Sequence, residues 1–144
     1  MSTVRDILAR KGSTLISVRP ADTVLRAATL MNDEGIGGVL VMEGDELAGI
    51  FTERDVLRRV VAAGRDPART AVREVLTSSV VTCGLQTTID ECAALMTARH
   101  IRHLPVRESS GLVGLVTIGD VLAFQVSEQQ STIEQMNNYL FDLR

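Results

Sequence analysis

Hydrophobic and polar positions follow two periods along this chain, and they do so in a fixed order. Leu15 to Val18, Gly38 to Met42 and Leu47 to Thr52 are short β-branched runs, whereas Val24, Ala27, Ala28 and Met31 recur at the spacing of a helix with one buried face. The order then returns, with strand-like runs at Val80 to Cys83, Arg102 to Arg107 and Leu112 to Thr117, and helical spacing at Ile89, Ala93 and Met96. Asp22 and Thr88 are expected to cap the first helix of each copy, with Glu91 completing a capping box. Glu43-Gly44-Asp45-Glu46 and Ser109-Ser110-Gly111 suit hairpin turns, and a second helix is expected after Thr52 and after Thr117. Each copy therefore reads β-α-β-β-α.

Laid on itself at an offset of 65, the chain matches residues 16–58 to 81–123 without a gap and with 13 identities in 43 positions. Ordinary composition gives roughly one match in fifteen by chance, so the duplication is real. Upstream, Val4-Arg5-Asp6-Ile7-Leu8 matches Val72-Arg73-Glu74-Val75-Leu76 at an offset of 68, which places three extra residues between Arg10 and Thr14 of the first copy. Each repeat is expected to carry its own lead-in helix. A copy of some 60 residues is marginal alone, so the two should pack with approximate twofold symmetry. The expected organisation is a first repeat with its lead-in helix over 1–66, a second over 67–124 and a C-terminal amphipathic helix over 125–144. That last helix carries Val126, Ile133, Met136, Leu140 and Leu143 at helical spacing, a stripe able to pack on its own body or on a second subunit.

The chain has 144 residues, 45% hydrophobic and 3% aromatic, with a net charge of −3. The slightly acidic balance and the shortage of aromatics argue against a general nucleic-acid binder. No apolar run approaches the ~20 residues of a membrane span and the N-terminus has no signal-peptide stretch, so a cytoplasmic protein is expected. Cys83 and Cys92 have no metal-ligand spacing and read as buried thiols. No nucleophile elbow, P-loop, zinc-protease helix or Gly-rich dinucleotide fingerprint occurs. A non-enzyme without metal or catalytic cofactor is expected.

The strongest repeated local feature is Gly49-x-x-Thr52-x-x-Asp55, which returns as Gly114-x-x-Thr117-x-x-Asp120 at a strand-to-helix turn. Thr and Asp at this spacing serve as a helix cap. Equally, an open helix N-terminus favours a phosphate, and a carboxylate can accept both hydroxyls of a ribose. Together with the β-α-β-β-α order and the segment His100-Ile101-Arg102-His103-Leu104-Pro105-Val106, this duplicated motif resembles the tandem cystathionine-β-synthase (CBS) domain pair, or Bateman module, of the stand-alone type. The resemblance implies a mixed α+β fold with two clefts between the repeats for adenosine derivatives such as AMP, ADP, ATP, NAD or S-adenosylmethionine. It also implies a homodimer and a regulatory role toward a client protein. A ligand-free interaction scaffold is the alternative.

Carried onto this chain, the resemblance places Thr117, Asp120, Arg102 and His103 around the ribose and phosphate of a second-repeat ligand, with Val80, Thr82, Leu104, Pro105 and Ile118 around its base. In the first-repeat cleft the counterparts are Thr52, Asp55 and Arg54, with Ile16, Ser17, Ile36 and Gly37 near the base. That cleft departs from the pattern, because Gly37 and Gly38 stand in place of Arg102 and His103, and Glu53 adds negative charge. Lys11, in the three-residue insertion, has two readings: an exposed lysine, which is the plainer one, or a compensating charge in the first cleft.

Overall fold

A computed structural model describes residues 1–142; Leu143, expected in the apolar stripe of the tail, lies outside the described residues. The first repeat runs from β1 (Ser17–Val18) through α2 (Val24–Glu34), β2 (Gly38–Glu43) and β3 (Glu46–Thr52) to α3 (Glu53–Asp55), which widens without a break into a π-helix over Val56–Val61. The second follows as α4 (Ile89–Arg99), β4 (His103–Glu108), β5 (Gly111–Thr117) and the long α5 (Ile118–Asp142), with α1 (Val4–Lys11) ahead of both. The helix over 125–142 is thus the unbroken continuation of the last helix of the second repeat rather than an element apart.

The two sheets keep the repeat register. In the first, β1 lies parallel to β2 with Val18 opposite Val41, and β2 lies antiparallel to β3. In the second, β4 and β5 form the equivalent hairpin, but the strand expected over 80–83 shrinks to one parallel bridge between Cys83 and Val106. The physical reason is Pro105. In the first copy the Leu40 N–H donates to the Ile16 carbonyl at 3.2 Å to start the parallel pairing. Pro105 occupies the Leu40 position and has no N–H to give.

Helix starts differ slightly from expectation. Thr23, not Asp22, caps α2 by accepting the Arg26 N–H, while the Asp22 carboxylate accepts the Arg19 N–H and closes the preceding turn. Thr88 accepts the Glu91 N–H at 3.1 Å, so its half of the expected box forms. Gly35 and His100, equivalent at the offset of 65, both end their helices in the left-handed region, with φ of 66° and 54°. Glycine reaches that region without cost; the histidine does not.

Two cores form, and the lead-in segments are exchanged between them. Val18, Val24, Ala27, Met31, Val39, Val41, Phe51 and Val60 of the first repeat enclose Val72 and Val75 from ahead of the second. Val4 and Ile7 of α1 pack instead with Cys83, Ile89, Cys92, Met96, Leu104, Val106, Val116 and Val121. Backbone bonds repeat the exchange: Val4 N–H donates to Thr87 at 2.9 Å and Val72 N–H donates to Asp22 at 2.8 Å. The second lead-in is also a single 3₁₀ turn, Val72–Glu74, rather than a helix. Each repeat therefore completes its core with residues that sequence order assigns to the other, which locks the halves together.

This arrangement also explains both cysteines. They occupy the positions of Val18 and Ala27, are buried and unbridged, and act as small core side chains. Their mutual hydrogen bond and burial push the Cys83 thiol well above its ordinary pKa.

Two glycines are dictated by close approach. A Cβ on Gly49 would lie 2.4 Å from the Thr77 carbonyl oxygen, and one on Gly114 would lie 2.7 Å from the Leu8 side chain. The exchanged lead-ins are what press on both.

Candidate functional site

The duplicated motif builds two helix N-termini with the same local chemistry. Thr52 accepts the Asp55 N–H and Asp55 returns a bond to the Thr52 N–H at 3.0 Å; Thr117 and Asp120 do the same, at 3.2 and 2.9 Å. Capping is therefore real in both copies. What differs is the rest of each carboxylate.

Asp55 is sealed, with 5% of its surface exposed. One oxygen accepts from the Thr52 N–H and hydroxyl, and the other from the Thr77 hydroxyl at 3.0 Å, with the Arg59 guanidinium 3.7 Å away. Both oxygens are thus engaged inside the protein, and the carboxylate acts as an internal strut between Thr52, Thr77 and Arg59. Asp120 keeps 22% of its side chain exposed. Its Oδ2 holds the Thr117 N–H and the Lys11 ammonium, the latter at 2.7 Å, and its Oδ1 accepts no hydrogen bond from the described residues.

Lys11 serves the second repeat and not the first. At the first motif the Thr77 N–H donates to the Ile50 carbonyl at 2.9 Å and the Thr77 hydroxyl donates to Asp55. At the second, the Lys11 ammonium takes both roles, donating to the Leu115 carbonyl at 2.9 Å and to Asp120. Leu115 is the counterpart of Ile50 at the offset of 65. A flexible cation therefore replaces a fixed backbone bridge. The three inserted residues make this possible, since α1 continues to Lys11 whereas its counterpart is one turn.

The two halves meet at the starts of β2 and β4. His103 lies with its Nε2 only 3.0 Å from where a Cβ on Gly38 would sit. These positions are equivalent at the offset of 65, so one side chain fills a space that two could not share. Burial holds the His103 imidazole below its ordinary pKa, opposed by the neighbouring Glu53 carboxylate and aided by Arg102. Arg102 is exposed, and its carbonyl accepts the Ile118 N–H at 2.9 Å.

Val80, Thr82 and Ile118, the expected neighbours of a base, are half-buried. Leu104 is fully buried in the second core. Pro105 is buried and its carbonyl accepts the Cys83 N–H at 3.0 Å.

In the first repeat, Ile16 and Ile36 pack on the core and Ser17 is exposed on β1. Arg54, expected near a first-cleft phosphate, instead donates to the His100 carbonyl at 2.7 Å and ties α3 to the end of α4. Ile36 and Gly37 line an open groove with Glu53 and Val56, and the Glu53 carboxylate lies against Gly37. An anion would meet a negative wall there. At the second motif, instead, Lys11 is bonded to a carboxylate whose other oxygen accepts no hydrogen bond from the described residues, and the charges of Lys11, Arg102 and Asp120 all act on His103.

Comparison with known proteins assigns this architecture. A CBS domain profile matches residues 3–62 and 72–127. The chain belongs to the CBS domain family. It is 34% identical to the CBS domain-containing protein YhcV of Bacillus subtilis over 91% of each chain. A solved structure of a protein with CBS domains from Burkholderia ambifaria superposes with a TM-score of 0.86 at 42% identity, covering 89% of this chain and 96% of that one. The CBS domain pair of protein MJ0100, solved with 5′-methylthioadenosine and S-adenosyl-L-methionine, shares the fold with a TM-score of 0.78 at 22% identity, over 89% of this chain and 98% of that one. Among the described residues no helix is long and apolar enough to cross a membrane.

Proposed function

We propose that this CBS domain pair is a cytoplasmic regulatory module that takes an adenosine-derived ligand at the second-repeat junction and passes its occupancy to a partner protein. The observation that carries the reading is the asymmetry between the two motif carboxylates: Asp120 is partly exposed and its Oδ1 accepts no hydrogen bond from the described residues, whereas Asp55 is buried with both oxygens engaged. The adenosyl ligands of the MJ0100 pair support the chemical class. Thr117 and Asp120 would hold the sugar, Val80, Thr82 and Ile118 would flank the base, and Lys11, Arg102 and His103 would meet a phosphate. A sugar held by the open Oδ1 leaves Lys11 on Oδ2, where its ammonium is at hand for the ligand's anionic end. The site therefore favours AMP, ADP, ATP or NAD over an uncharged or sulfonium adenosyl compound.

Signalling follows from differential binding. A ligand held between α1, β4 and α5 stabilises whichever placement of these elements fits it, and it shifts that equilibrium by no more than its difference in affinity. Exposed Leu57 and Val61 match exposed Leu122 and Val126 at the offset of 65, which gives the module a twofold-repeated apolar face suited to a homodimer.

A ligand-free scaffold is the second reading, favoured by the sealing of Asp55. A thermal-shift panel of AMP, ADP, ATP, NAD and S-adenosylmethionine separates the two. Binding at 100 times the dissociation constant adds about 2.7 kcal/mol, a shift of several degrees, whereas a scaffold responds to none of the five.

A further inference from the structure

The last contacts of α5 with the body are made by Ser127, which accepts from Arg10 at 3.2 Å, and Glu128, which accepts from the Ser2 hydroxyl. From Glu128 to Leu140 every residue is exposed. At 1.5 Å per residue the helix projects about 20 Å beyond its support. An isolated helix of this length is marginal in water, and the Asn, Ser and Thr residues of this one are weaker helix formers.

Its apolar residues are not scattered. Val126, Ile133 and Leu140 recur every seven residues, and Gln129 and Met136 fall three after the first two of them. Val126, Ile133, Met136 and Leu140 are between 51% and 61% exposed. A strict alternation of three and four is the seam of two helices wound around each other, not the broader face that a helix turns to a globular core. We propose that this helix pairs with the same helix of a second copy of the chain as a parallel, in-register two-stranded coiled coil.

Two features select a second copy as the occupant. The positions flanking the seam, Gln125, Gln130, Thr132, Asn137 and Tyr139, carry no charge. A copy therefore meets no like-charge repulsion, and no charge pattern selects a different partner. Gln129 fixes the direction. In register and parallel, its amide faces the amide of its twin and the two can bond; antiparallel, each would be stranded against apolar seam residues. The β-branched Val126 and Ile133 at the position flanked by these residues favour two strands. A seam of five positions buries less than the ~1,000 Å² of a stable interface, and it continues along α5 into the exposed Leu122 and, through its counterpart, Leu57. Seam and body face together make one interface.

The pairing is independent of whether an adenosyl ligand binds. In the full chain, Met136→Cys places thiols face to face on the seam and Asn138→Cys places them on the outer face; the native Cys83 and Cys92 are buried. Mild oxidation should link Met136→Cys into a covalent dimer at least tenfold faster than Asn138→Cys. Adding Ile133→Asp should abolish that link while circular dichroism of the body is retained. Equal rates at 136 and 138, a cross-link unchanged by Ile133→Asp, or a monomer by light scattering at tens of micromolar would each overturn the proposal.

Discussion

Removing each motif carboxylate in turn should damage this protein in opposite ways. In Asp55→Ala the helix loses its cap to the Thr52 N–H, worth about 1 kcal/mol. The half-buried Thr77 hydroxyl loses its acceptor, costing about another 1–2 kcal/mol. The Arg59 pair adds little, because that guanidinium is half exposed. The sum is about 3 kcal/mol, or roughly 10 °C in Tm for a chain of this size. Asp120→Ala loses a cap of the same kind and a partly exposed pair with Lys11, about 1.5 kcal/mol or roughly 5 °C. Urea melts of the two variants beside the native chain give both values. With AMP present the order should reverse: Asp55→Ala keeps the ligand's added stability and Asp120→Ala loses it. Equal destabilisation by the two changes, or a loss of the AMP shift in Asp55→Ala alone, would refute the reasoning that one carboxylate is structural and the other free.

Other consequences follow from single contacts. Gly49→Ala drives a Cβ into a backbone carbonyl, whereas Gly114→Ala meets the movable end of Leu8; the first should cost several kcal/mol by urea melt and the second about 1 kcal/mol. His100→Gly relieves a left-handed residue at a helix end and should stabilise by about 0.5–1 kcal/mol. Because His103 is held below its ordinary pKa of 6.5 by burial, the unfolded chain binds more protons between the two values. Its contribution to stability is therefore complete above 6.5 and declines as pH falls through the folded pKa. His103→Asn should flatten the thermal-melt profile between pH 7 and pH 5, and an unchanged slope would count against burial as the cause. Lys11→Met should weaken AMP by about tenfold while leaving adenosine binding within about twofold, measured by titration calorimetry; equal losses for both ligands would separate Lys11 from the phosphate.

The fold was legible because the chain states its own architecture twice. Equivalent residues such as Val41 and Val106, or Thr52 and Thr117, land at equivalent places in the two hairpins and turns. Pro105 was legible in principle as well, since a missing N–H at the Leu40 position removes the bond that starts β1. The exchange of lead-ins was not. Sequence order makes Val72 and Val75 the neighbours of the second repeat, and only three-dimensional packing shows them inside the first core.

The site was legible by residue type and not by state. Thr-x-x-Asp looks alike in both copies, and no local pattern tells that Thr77 saturates Asp55 from 22 residues away while Lys11 reaches Asp120 across 109. The change of offset from 65 to 68 was the available signal, since it marks the insertion that carries Lys11. The burial of Leu104 has a simpler cause: consecutive strand residues face opposite sides, so the neighbour of His103 turns into the core.

Titration calorimetry of the native chain, Asp55→Asn and Asp120→Asn with the strongest responder from the nucleotide panel bears most directly on the site. The expected outcome is one equivalent bound per chain, retained in Asp55→Asn and lost in Asp120→Asn. Binding that survives in Asp120→Asn, or two equivalents that require both carboxylates, would contradict it.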